Sequence, residues 1–76
     1  MEIKEFIEKF AEILDDTDAT TLTPETKFRE LDEWSSLSAL GVIALAEEEF
    51  GVELSGTEMR SANTIQDIFD TISKKA

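Results

Sequence analysis

The chain has no cysteine, no histidine and no tyrosine. Without cysteine there is no disulfide framework and no thiolate chemistry, a composition that fits the cytoplasm. With histidine missing as well, the usual nucleophile–base pairs are absent and so is the common donor set for zinc. Basic residues are scarce: seven Lys and Arg stand against eighteen Asp and Glu, a net charge of −11. That balance excludes nucleic acid, whose affinity comes from Lys and Arg neutralising phosphates, and argues equally against anionic membrane surfaces. The opening MEIKEFIEKF carries a charge at nearly every second position, and no later run approaches a membrane span. The expectation is a soluble, cytoplasmic, monomeric protein without membrane insertion. Its acidic field steers it toward proteins with basic patches.

What is present suffices for one small domain covering residues 1–76. The hydrophobic fraction of 41% exceeds that of disordered chains. A core this small gives only a few kcal/mol of net stability, and mutual repulsion of the carboxylates loosens it at low salt.

Apolar residues at Ile3, Phe6, Ile7, Phe10, Ile13 and Leu14 follow the three-and-four spacing of an amphipathic helix, predicted to end near Asp15–Asp16. A long connection to Trp34 follows, with Leu22, Phe28, Leu31 and Trp34 as anchors and a turn at Thr23-Pro24-Glu25. A second helix runs from about Ser36 to Phe50, capped by Ser35 at its start and Gly51 at its end. It carries no charge between Leu37 and Ala46. Leu37, Leu40, Ile43 and Ala44 form one apolar stripe, which Val42, Leu45 and Ala46 widen. Gly41 in its interior costs about 1 kcal/mol relative to alanine. Ser55-Gly-Thr-Glu58 reads as a capping box for a short helix from Glu58 to about Ala62. Asn63 or Thr64 caps a last helix with Ile65, Ile68, Phe69 and Ile72 on its apolar face and Lys74 and Lys75 at its C-terminal end. The fold class is all-α, a small four-helix bundle of three longer helices and one short one, with the long loop between the first and second.

Two local features invite chemistry. Asp16-Thr-Asp18 could open a calcium loop, but its sixth position is Thr21 rather than glycine and its twelfth is Lys27 rather than glutamate, so no metal site is expected. The pair Ser35-Ser36 reads either as a plain helix cap or as a presented hydroxyl. The well-anchored loop before it and the uncharged helix after it exceed what a cap requires.

These residues resemble the acyl carrier proteins over essentially the whole chain: length, acidity, helix pattern, the LTPETKF–REL loop and the terminal NTIQDIFDTI. In that family a four-helix bundle presents an Asp-Ser-Leu motif at the start of its second helix. A phosphopantetheinyl transferase esterifies the serine with 4′-phosphopantetheine from coenzyme A, and the arm's thiol carries the acyl group. Spacing from the EEEFGVEL segment places Ser36, followed by Leu37, at the modified position, with Ser35 in place of the aspartate. The resemblance implies a carrier rather than an enzyme, modified at Ser36 within the flanking motif of Ser35 and Leu37. Its partners would be the transferase and acyl-transferring or acyl-modifying enzymes. Trp34, Glu47, Glu48, Glu49 and Glu53 are candidate recognition residues, and Leu40, Ile43, Ala44, Phe50, Val52, Leu54 and Ile65 could hold an acyl chain between helices. Ser38 and Gly41 stand where many fatty-acid carriers place acids. That points to a specialised lipid, polysaccharide-modification, polyketide or aminoacyl pathway. The alternative is an unmodified acidic helical module that docks on a basic protein partner.

Overall fold

The computed structural model describes residues 2–14 and 17–76. Among these, four α-helices and no strand are present: α1 (Ile3–Ile13), α2 (Ser36–Phe50), α3 (Gly56–Ser61) and α4 (Ile65–Lys75). The all-α expectation therefore holds, with three longer helices and one short one. The end of α1 expected at Asp15–Asp16 lies outside the described residues.

Phe6, Ile7, Phe10, Ala11 and Leu14 turn inward from α1, meeting Ile65, Ile68 and Ile72 of α4 and Val42 and Ala46 of α2 in one buried core. Aromatic rings run through it. Phe6 contacts Phe10, Phe50 and Phe69, with ring centroids 5.5–6.2 Å apart. Phe10 passes the run on to Phe28 at 6.2 Å and Trp34 at 5.8 Å.

The connection from α1 to α2 is ordered by local hydrogen bonds and by these anchors. It contains two single 3-10 turns, Ala19–Thr21 and Phe28–Glu30. Between them Pro24 opens a turn closed by Thr26 N–H to the Thr23 carbonyl at 3.0 Å. Leu22 and Phe28 are buried, while Leu31 and Trp34 are half-buried against the core. The loop is also tied to the helices on its far side. The Ile65 and Gln66 amides at the start of α4 donate to the carbonyls of Thr26 (3.2 Å) and Pro24 (2.9 Å). Arg29 donates to the carbonyls of Met59, at 2.8 Å, and Arg60. Backbone donors that a helix start leaves unpaired are thereby used to fasten the loop.

Three caps follow the expected chemistry. Ser55 and Glu58 form a reciprocal capping box on α3, Thr64 and Asp67 another on α4, and Gly51 closes α2 at φ 67°. Because Ser55 is the cap, α3 begins at Gly56, two residues before the expected start. The close approach of α1 explains Gly41: a Cβ there would sit 2.8 Å from Ile13 Cγ2.

Of the apolar stripe of Leu37, Leu40, Ile43 and Ala44, only Ile43 packs against the core. Leu37 and Leu40 are 78% and 61% exposed, and Ala44 is exposed too. The inward positions are Ser38, Val42 and Ala46, spaced four apart, with Ile43 half-buried beside them. An uncharged helix offers no polar face to set its phase. Here the helix turns Gly41 toward Ile13 of α1.

Candidate functional site

The site is built where the loop meets α2. Trp34 is stacked nearly parallel on Phe10, 4° between planes, and tilted onto Phe28 at 4.6 Å. Its ring fastens the last loop residues to the core. Ser35 is extended (φ −150°, ψ 177°), and its Oγ accepts the Ser38 N–H at 3.4 Å. Ser35 is thus the N-cap of α2.

Ser36 is the first helical residue and is exposed. Its amide is one of the donors that a helix start leaves without an intrahelical acceptor, since the first turn closes only at Ala39 N–H to Ser35 O, 3.1 Å. No acid lies in the first turn of α2. The partial positive charge of the helix start therefore has no carboxylate beside it in that turn, which is the setting a phosphate favours.

Leu37 projects into solvent next to Ser36. Leu40, Ala44, Glu47 and Glu48 continue the same exposed face. Glu47 lies eleven positions after Ser36, about 16 Å at the rise of an α-helix. Glu49 differs from its neighbours, because its carboxylate pairs with Lys9 of α1 at 3.2 Å. The hydrogen bond and charge of Glu49 push the Lys9 pKa up. Glu53 is exposed after α2, and its carbonyl accepts from Lys75 Nζ at 2.8 Å. The same ammonium pairs with Glu58 at 2.6 Å. Lys75, followed by the Ser55 amide, holds the Glu58 carboxyl below the usual range.

Of the residues considered for an interior acyl site, Val52, Leu54 and Ile65 are buried and Ile43 and Phe50 half-buried. Leu40 and Ala44 point away from the interior. Among the described residues no cluster of carboxylates is arranged to hold a metal ion. Asp16 of the tested calcium loop is outside those residues. Asp18 is used locally instead: it caps the turn at Ala19 by accepting the Thr20 N–H at 3.0 Å, which lowers its pKa.

Ser38 was not singled out in the sequence as part of the site. It is buried on the inner face of α2 and reaches back to the Glu33 carbonyl at 3.3 Å. The sequence signal is its position three residues after the capping serine, where a polar side chain can answer the cap.

A family model described as "Phosphopantetheine attachment site" matches residues 4–72. The acyl carrier protein of Thermosynechococcus vestitus is 36% identical over 99% of this chain and 96% of its own length. That of Thermobifida fusca is 32% identical over 93% of this chain and 94% of its own. That of Solidesulfovibrio magneticus is 37% identical over 90% and 91%. No solved structure gives a significant match.

Proposed function

Because this chain belongs to the acyl carrier protein family, defined by its phosphopantetheine attachment domain, we propose that Ser36 is the residue that bears the arm. The observation that carries this assignment is the division of labour among three neighbouring serines. Ser35 is used as the cap and Ser38 is buried, while Ser36 is exposed as the first residue of the helix. Phosphopantetheine fits there: no acid lies in the first turn of α2 to repel a phosphodiester on Ser36, and the helix start would favour its charge. When bound, the arm supplies a thiol that carries an acyl group as a thioester.

Loading joins Ser36 Oγ to the phosphorus of the 4′-phosphopantetheine half of coenzyme A. The diphosphate P–O bond breaks, the nucleotide half leaves, and the serine proton passes to a base on the transferase. The protein itself contributes presentation: Trp34 and the Ser35 cap hold the backbone, and the hydroxyl stays in solvent.

Acyl carrier proteins are carriers rather than enzymes, and this chain is read as a monomeric cytoplasmic substrate of its partner enzymes. Those partners dock on the outer face of α2. Leu37 and Leu40 offer apolar surface beside the arm, and Glu47 and Glu48 offer charge to a basic patch about 16 Å further along. Glu53 extends the acidic end, Glu49 divides its charge with Lys9, and half-buried Trp34 lies two positions before the serine. The uncharged first half of α2 supports a specialised lipid, polysaccharide-modification, polyketide or aminoacyl pathway.

The test is coexpression with a broad-specificity phosphopantetheinyl transferase, followed by intact mass. One arm's increment is expected on the wild type and on Ser35→Ala, and none on Ser36→Ala. An unmodified wild type would favour the rival reading, in which Ser35 stands in place of an aspartate because the module only docks.

A further inference from the structure

We propose that Ser38 is the positioning residue of the loading step: its buried hydroxyl latches the Glu33–Ser35 segment onto the first turn of α2 and so keeps Ser36 presented. The proposal rests on the assignment of Ser36 as the attachment residue.

Ser38 is the one polar residue buried among the described residues, at 6% exposure. It shares the inner face of α2 with Val42 and Ala46. An alanine would serve packing there equally well, and a buried hydroxyl costs free energy unless it is bonded. The bonds it makes all run backwards, toward the residues that precede Ser36. Its Oγ donates to the Glu33 carbonyl at 3.3 Å, and Ser35 Oγ lies 3.4 Å from it. Its amide donates to Ser35 Oγ at 3.4 Å. The segment it grips is also held from outside, where Thr17 donates to the Glu33 carboxylate. Ser36 thus lies between two fastened points, Ser35 and Ser38, with neither fastening made through its own hydroxyl.

The distances are at the long end of hydrogen bonding, so the latch is weak and acts on a local equilibrium rather than on global stability. Without it, the first turn of α2 frays part of the time. A transferase that needs the formed turn then sees a reduced fraction of competent carrier. That raises the apparent KM and leaves turnover of the docked complex alone.

The test uses the unmodified full chain and Ser38→Ala, with Ser38→Thr as the hydroxyl-retaining control. Hydrogen exchange is followed at the Ala39 amide, whose acceptor is the Ser35 carbonyl, and at the Ala46 amide in mid-helix. Ser38→Ala is expected to lower protection at Ala39 by about three- to tenfold and to leave Ala46 unchanged. The KM for transferase loading should rise in inverse proportion to the formed-turn fraction that the exchange reports, with kcat within about twofold, and Ser38→Thr should recover both. Unchanged protection at Ala39, an unchanged KM, or an equal loss at Ala46 would overturn the latch. Failure of the wild type to load at Ser36 would instead remove the attachment assignment, and the exchange measurement would still report on the latch.

Discussion

Truncating Leu40 to alanine separates an outward-facing α2 stripe from an inward-facing one. A leucine packed in the core loses about 2–5 kcal/mol on truncation, which would unfold much of a domain this small. Leu40 is 61% exposed, so its removal should change stability by no more than about 0.5 kcal/mol. For a domain of this length 1 kcal/mol corresponds to roughly 4–8 °C, so the melting midpoint should move by only a few degrees. Val42 is completely buried two residues further on. Val42→Ala should cost about 1–3 kcal/mol and lower the midpoint clearly. The functional consequence is reversed. A partner that covers the exposed part of Leu40 gains about 1–2 kcal/mol, so Leu40→Ala should raise the KM for transferase loading about five- to thirtyfold, while Val42→Ala leaves it unchanged where folded. Paired thermal melts and loading kinetics measure both. A Leu40→Ala midpoint that falls as far as that of Val42→Ala would refute the assigned rotation of α2, and an unchanged KM would refute docking on that face.

Other outcomes follow from particular contacts. Gly41→Ala gains about 1 kcal/mol of helix propensity but drives its Cβ to 2.8 Å from Ile13 Cγ2, an overpacking cost of about 1–3 kcal/mol. A net loss is expected in the wild type and a net gain in an Ile13→Ala background, and simple additivity in chemical denaturation would refute the close approach. Gly51→Ala places a side chain at φ 67° and should cost about 1 kcal/mol, read as a lower denaturation midpoint. The carboxyls of Asp18, Glu58 and Asp67 are held below their ordinary values by the Thr20 amide, by Lys75 and Ser55, and by the Asn63 and Thr64 amides. Depressed folded values mean that their stabilisation is complete above the unfolded pKa and lost as pH falls through the folded one. At low salt the melting midpoint should therefore rise between pH 7 and about pH 5 as repulsion eases, then fall below about pH 4. A midpoint that declines steadily from neutral pH would contradict this.

The elements most legible in the sequence are those specified over three or four residues. Ser55 with Glu58 and Thr64 with Asp67 declare their helix starts through short-range caps. Phe28 and Trp34 announce themselves as anchors because large rings in a polar loop need somewhere to be buried. The rotation of α2 was not legible, because an uncharged run from Leu37 to Ala46 has no wet side to contrast with a dry one. The side that faces inward depends on residues far away in the chain, Ile13 above all. The same distance hides the Lys9–Glu49 pair, forty positions apart, which ties one of the three terminal glutamates of α2 to α1. At the site, the sequence showed a serine pair that reads as a cap or a presented hydroxyl, and the resemblance to the acyl carrier proteins pointed to Ser36 with Ser35 as its cap. The role of Ser38 needed coordinates, since its partner is a backbone carbonyl five residues back and a serine inside a helix gives no sign of which way it points.

Three serines fall within four positions at the start of α2, and only one of them should carry the arm. Fragmentation of the transferase-treated protein by tandem mass spectrometry distinguishes them directly. A phosphopantetheine increment confined to Ser36, with Ser35 and Ser38 unmodified, is the predicted result. An increment on Ser35 or Ser38, or none after exhaustive treatment, would contradict it.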